Sequence, residues 1–138
     1  MKVYQSKTKK LPGSSYSELY PKAFAIYKVI KRRSKRRAYV RSAYFNKQKV
    51  FLDLFWPHIH EKNWRDKVRR LRYYACALEL IQNSKYEPYS LENPNKKSEM
   101  LHKFSGMSSE KELFYVQIKE NKRTNEKFLI SVFPEDPA

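Results

Sequence analysis

Glycine is nearly missing from this chain: Gly13 and Gly106 are the only two in 138 residues. A phosphate-cradling loop needs several, so P-loop and Rossmann nucleotide binding are excluded, and no Gly-x-Ser-x-Gly elbow exists for a Ser/His/Asp hydrolase. Cysteine is scarcer still. Cys76 cannot form an internal disulfide, and within Tyr74-Ala75-Cys76-Ala77-Leu78 it reads as a small buried hydrophobe rather than a nucleophile. Without thiolate partners, and with His58 and His60 too close in sequence to share a helix face, no metal or other cofactor is expected. A signal peptide and an apolar run of about eighteen residues are both absent, which predicts a soluble cytoplasmic protein with no membrane partner. The other shortage is of acid. Glu18 is the single carboxylate in the first fifty residues.

What is present is positive charge. Fifteen of the thirty Lys and Arg residues lie in those first fifty positions, which therefore carry +14 of the overall +16. A field this lopsided has a polyanion as its natural counterpart, because each cation set against a phosphate releases condensed counterions. The densest run holds Arg32, Arg33, Lys35, Arg36 and Arg37, and it leads into Tyr39, Arg41, Tyr44 and Phe45. Cations interleaved with rings suit RNA or single strands, whose bases stack on aromatics and on guanidinium planes. The expected partner is RNA. An acidic inhibitor protein would be drawn to the same field.

Residues 1–15 read as a basic, flexible arm, and 16–138 as a single α+β domain. A first helix is expected from Ser17 to Arg33, with Pro21 in its first turn. Ala38–Phe45 and Val50–Phe55 should pair as a β-hairpin around Asn46-Lys47-Gln48. From about His58 to Asn83 the apolar spacing of Val68, Leu71, Ala75, Leu78 and Ile81 predicts one long amphipathic helix. Residues 84–98 read as a loop. Met100–Ser105, Glu112–Glu120 and Lys127–Phe133 then alternate as three strands, the last two joined by Asn121–Asn125. The fold expected is an N-terminal helix and hairpin, with the long helix packed on a small antiparallel C-terminal sheet.

Chemistry on RNA can proceed without metal, because the substrate's own 2′-OH is the nucleophile. The protein then supplies a base, an acid and cations for the phosphorane. Trp56-Pro57-His58-Ile59-His60-Glu61-Lys62 is the best candidate segment: His58 and Lys62 share a face if a helix begins by Pro57, and a helix N-terminus favours phosphate. Read structurally, His58 merely caps that helix. His102 and Lys103 are neighbours on a strand, so one faces the core and the other solvent. Ser131, mid-strand among apolar residues, either bonds backbone or faces a cleft. Arg69, Arg70 and Arg72 form either a solvated helix face or a phosphate track.

The order of these elements resembles the phage-associated branch of the barnase–EndoU–colicin–RelE (BECR) ribonuclease superfamily. The resemblance rests on the His58-Ile59…Lys62 segment, the Asn-Pro loop, and the strands Leu101–Phe104, Phe114–Ile118 and Leu129–Pro134, across about residues 56–135. It implies metal-independent cleavage of RNA to a cyclic phosphate, with His58, Lys62, Lys103 and Ser131 as catalytic residues. A non-catalytic RNA- or ribosome-binding module is the alternative, in which the same cations only bind. A DNA-binding reading has no helix-turn-helix spacing behind it.

Overall fold

The computed structural model describes residues 2–135 and contains four helices and seven strands among them. The strands are β1 (Tyr4–Gln5), β2 (Tyr39–Arg41), β3 (Lys49–Phe51), β4 (Tyr89–Glu92), β5 (Glu99–Met107), β6 (Leu113–Asn121) and β7 (Lys127–Pro134). The helices are α1 (Tyr16–Arg33), α2 (Phe55–His60), α3 (Trp64–Leu71) and α4 (Tyr74–Asn83). All seven strands form one mixed sheet in the order β1-β5-β6-β7-β3-β2, with β4 added antiparallel to β5. The small C-terminal sheet expected from sequence is therefore only its centre. The N-terminal hairpin joins it through a parallel pairing of β3 with β7, a long-range contact invisible to local alternation.

The single long helix is likewise corrected, to three short ones. Asn63 breaks it by capping α3: its backbone is extended and its side chain accepts from Asp66 N at 2.9 Å. A second break falls at Arg72-Tyr73, where Tyr73 lies outside helical geometry as the N-cap of α4. The breaks let α2, α3 and α4 turn their apolar residues onto one core, which holds Phe55, Trp56, Ile59, Val68, Leu71, Tyr74, Leu80 and Ile81. Periodicity alone ran across both breaks because the stripe resumes in phase.

Helix α1 starts one residue before the expected Ser17, capped by Ser15, whose hydroxyl accepts from Glu18 N. Pro21 lies inside the helix rather than in its first turn. The residues expected as a flexible arm run along the free edge of β5. Tyr4 and Gln5 pair parallel with Gly106 and Met107, and Ser6 N donates to Met107 O at 2.8 Å. Glu79 of α4 holds the next residues, accepting from Lys7 N at 3.1 Å and Thr8 Oγ1 at 2.6 Å. The loop expected over 84–98 contains β4, a strand too short and too exposed to announce itself. The hairpin turn is as expected, with Asn46 and Lys47 both at positive φ. Two expected strands of that hairpin are shorter than predicted, and Phe55 opens α2 instead of ending β3.

On the inner face, Phe104, Val116 and Val132 form one buried row across β5, β6 and β7. Nearby, His102 is 7% exposed and bridges Ser90 Oγ (Nδ1, 2.6 Å) and Glu120 Oε1 (Nε2, 2.8 Å). Glu120 also lies 3.3 Å from Lys127 Nζ, itself 2% exposed. Burial opposes ionisation of Glu120, but the hydrogen bond from His102 and the charge of Lys127 outweigh it and lower its pKa. This network ties β4, β5, β6 and β7 together at one end of the sheet.

Two outcomes follow from packing and charge. A Cβ at residue 106 would meet Phe114 Cζ at 2.5 Å and Leu80 Cδ1 at 2.8 Å, so Gly106→Ala should destabilise by about 1–3 kcal/mol in urea denaturation. Glu79, where burial is outweighed by hydrogen bonds from Thr8, Tyr4 and Lys7, also has a lowered pKa. Its contribution is complete above the ordinary glutamate range and is lost as pH falls through the lowered value. Hydrogen-exchange protection at residues 4–8, measured relative to the unstructured rate at each pH, should fall on acidification, and Glu79→Gln should flatten that dependence.

Candidate functional site

The bulge that re-aims β7 is what assembles the site. Gln117 pairs with Ser131 and Ile118 with Leu129, leaving Ile130 as an extra residue. Beyond the bulge β7 no longer pairs with β3, whose partners are Lys127 and Phe128, and α2 and α3 pack against β7 instead. At that edge a cleft is lined by His58, Lys62, Arg70 and Ser131 over the apolar floor of Phe55, Ile59 and Ile130. Three elements thus bring together three of the four residues expected to be catalytic. Lys103, the fourth, is elsewhere.

The segment around His58 folds differently from the expected helix start. His58 lies in the last turn of the six-residue α2, and Glu61 is its C-cap. Lys62 is outside the helix, but its N–H donates to Ile59 O at 3.2 Å, and this extra turn keeps it beside His58. The favourable dipole of a helix N-terminus, expected there for phosphate, is therefore not what His58 provides. His58 and His60 are both exposed; His60 lies beside α1, 3.4 Å from the Tyr16 hydroxyl and against the Tyr20 ring.

Arg70 has a partner that sequence reasoning did not give it. It was one of three cations on a helix face, but it crosses the β7 edge and donates from Nη1 to Ser131 Oγ at 2.6 Å. Its guanidinium also sits 5.4 Å from the Phe133 ring centroid. No spacing within α3 could reveal this, because it depends on where β7 lies. Arg69 and Arg72 turn the other way, lining a separate depression of about 470 Å³ with Lys10 and Tyr73. There Arg69 faces Asp66 at 3.4 Å and Arg72 Nε donates to Gly13 O.

Ser131 belongs to the row Lys103, Gln117, Ser131, which is turned to the face opposite the buried row. Two strand spacings, about 10 Å, separate Lys103 from Ser131. Lys103 lies instead among rings, its Nζ 5.0 Å from the Tyr115 centroid and 5.9 Å from that of Tyr89. Tyr89 is 56% exposed, and Tyr115 contacts Phe133 at 5.5 Å. The outer face continues toward β3 with Lys119 over Phe128 and with Phe128 against Phe51. Rings and cations alternate across it, a pattern suited to single-stranded nucleic acid.

No family model matches the chain, and neither a curated protein nor a solved structure is similar to it. The site therefore stands on its own geometry.

The basic run occupies the far end of the same sheet. Arg32 and Arg33 are exposed in the last turn of α1, and Lys35 at φ 58° reverses the chain so that Arg36 and Arg37 return toward the sheet. Arg37 is held by Asp53, with Nη2 at 2.8 and 2.9 Å from the two carboxylate oxygens. Arg41 is exposed and donates to Lys47 O at 3.0 Å. Of the rings that follow the run, Tyr39 is on the outer face. Tyr44 and Phe45 are partly buried and pack inward against Phe104 and His102 at the margin of the core.

Among the described residues no cluster of His, Cys, Asp or Glu could hold a metal ion, and no helix is long and apolar enough to cross a membrane. Burial pushes the Cys76 thiol up to about 11, and its Sγ donates to Thr8 O, so it is a packing residue rather than a nucleophile. The half-buried Arg70–Ser131 bond should contribute about 1 kcal/mol, so Ser131→Ala should lower stability by roughly that amount in chemical denaturation.

Proposed function

We propose that this protein binds single-stranded RNA across the outer face of its sheet and cleaves it without metal at the β7 edge. The observation that carries the reading is the convergence of His58, Lys62, Arg70 and Ser131 on one cleft from α2, the turn after it, α3 and β7. Their chemistry matches what 2′-OH attack on phosphorus requires. An imidazole can take the 2′ proton or give one to the leaving 5′ oxygen, and Lys62 and Arg70 can meet the charge on the phosphorane. Ser131, already fixed by Arg70, would position a non-bridging oxygen. Lys103, with Tyr115 and Tyr89, is assigned to holding the strand rather than to the reaction. This is the activity implied by the resemblance to the BECR ribonucleases, and the cytoplasm is where such a substrate is met.

A specific observation favours the second reading, a binder that does not cleave. The cleft's internal volume is about 10 Å³, so a phosphate must lie over it rather than enter it. Under that reading the sheet face and the basic run make all the contacts, and His58 is dispensable.

The two readings part cleanly in one assay. Purified protein is incubated with total RNA in EDTA beside a His58→Ala variant. Cleavage predicts discrete fragments with cyclic-phosphate ends, reduced about 10²–10⁴-fold in rate by the substitution. Intact RNA that nevertheless shifts on a gel, equally with both proteins, would leave only the binding function.

A further inference from the structure

At the β2 end of the sheet, away from the β7 edge, a recess of about 550 Å³ opens between the end of α1 and the hairpin. That volume lies in the range of about 300–1,000 Å³ typical of small-molecule sites. Its wall is the Tyr39 ring and its floor is Phe51, the two packed edge to face with centroids 6.4 Å apart. The Arg37 guanidinium lies over Phe51 at 4.3 Å and is locked there by Asp53. A guanidinium fixed flat on a ring presents its other side as a stacking plane for a base. Around this floor stand Arg33, Lys35, Arg36 and Lys49, with Glu126 the only acid in the lining. Arg33, Lys35 and Arg36 have no carboxylate partner among the described residues, whereas Arg37 does. The recess thus separates its functions: a neutralised, oriented cation over a ring beneath, and uncompensated cations at the rim.

We infer that this recess is a nucleotide-binding subsite, taking one base against Tyr39 and Arg37 and its phosphate between Arg33, Lys35 and Arg36. The inference rests on the RNA reading above and adds where the strand is gripped and how its register is set. Phe51 pairs with Phe128. From there to Ser131 is about 10 Å along β7 on the same face, so a strand held in the recess passes Phe128 on its way to the β7 edge. A simple basic patch would favour any phosphate equally. A ring-floored recess with its own oriented guanidinium should prefer a phosphate that carries a base.

The test is titration of the full chain with a nucleoside 5′-monophosphate, the corresponding nucleoside and inorganic phosphate, followed by amide NMR shifts and calorimetry. The monophosphate should bind saturably, with shifts confined to residues 33–39, 49–51 and 126, and each fragment should bind at least about tenfold more weakly. Tyr39→Leu should weaken monophosphate binding about tenfold, and Lys35→Ala with Arg36→Ala should do so more steeply at low salt. These surface substitutions keep the hairpin packing, and unchanged urea midpoints would verify that. Inorganic phosphate binding as tightly as the monophosphate, or shifts centred elsewhere, would overturn the subsite even if RNA is cut. Monophosphate seated in the recess with RNA left intact would keep the subsite and remove the cleavage reading.

Discussion

Two residue pairs, Val50 with Lys127 and Phe51 with Phe128, join the basic N-terminal half of the chain to the C-terminal strands, and the rest of the architecture depends on them. So short a parallel ladder would be marginal alone, and side chains on both faces reinforce it. On the inner face Lys127 is buried, with its ammonium donating to Asn125 O and Oδ1 and lying beside Glu120. A buried cation is tolerated only when such partners surround it, so the pairing cannot slip without stranding a charge. On the outer face the Phe51 and Phe128 rings meet at 5.8 Å, with Arg37 against both. Register, burial and the placement of the basic run are fixed at the same junction.

The charge distribution takes its meaning from that junction. A chain with +14 in its first fifty residues would repel itself if those cations were scattered over one helix. The fold distributes them between the end of α1, the hairpin and the β5 edge, and anchors some with carboxylates from the later sequence. Asp53 holds Arg37, Glu112 holds Lys10, and Glu79 holds the backbone of Lys7. Among the described residues, Lys28, Arg41 and Lys49 have no such partner and lie over the rings of Phe24 and Tyr39. Neutralisation therefore decides which part of the basic N-terminal segment keeps an uncompensated positive field.

What the sequence made legible follows the range of the interactions. Strands β5, β6 and β7 were readable because Phe114, Val116 and Ile118 alternate with polar neighbours. The hairpin turn was readable because Asn46 and Lys47 suit left-handed backbone. The division of His102 inward and Lys103 outward follows from the same alternation. Each is a local property. The capping role of Asn63 was also local, but the apolar stripe across it was the stronger signal and concealed the break. The parallel β3–β7 pairing, the crossing of Arg70 to Ser131 and the docking of β1 had no local trace. His58, Lys62 and Ser131, singled out by chemistry and resemblance, meet at one edge, and Lys103 stands apart from them because two strands of one sheet can share a face yet lie too far apart to share a phosphate.

The docking of β1 on β5 has a consequence for how the chain is made. Tyr4 leaves the ribosome about a hundred residues before its partner Gly106, and Val50 about three-quarters as many before Lys127. The first pairing waits for β5 and the second for β7, so closure of the sheet is a late event dominated by distant contacts and correspondingly slow. Until β7 emerges, the hairpin of the most basic third has no sheet to join, beside a particle built largely of RNA. Before the sheet closes, the charge of residues 1–50 is not set against Glu79 and Glu112, the later carboxylates that hold the Lys7 backbone and the Lys10 ammonium in the finished fold.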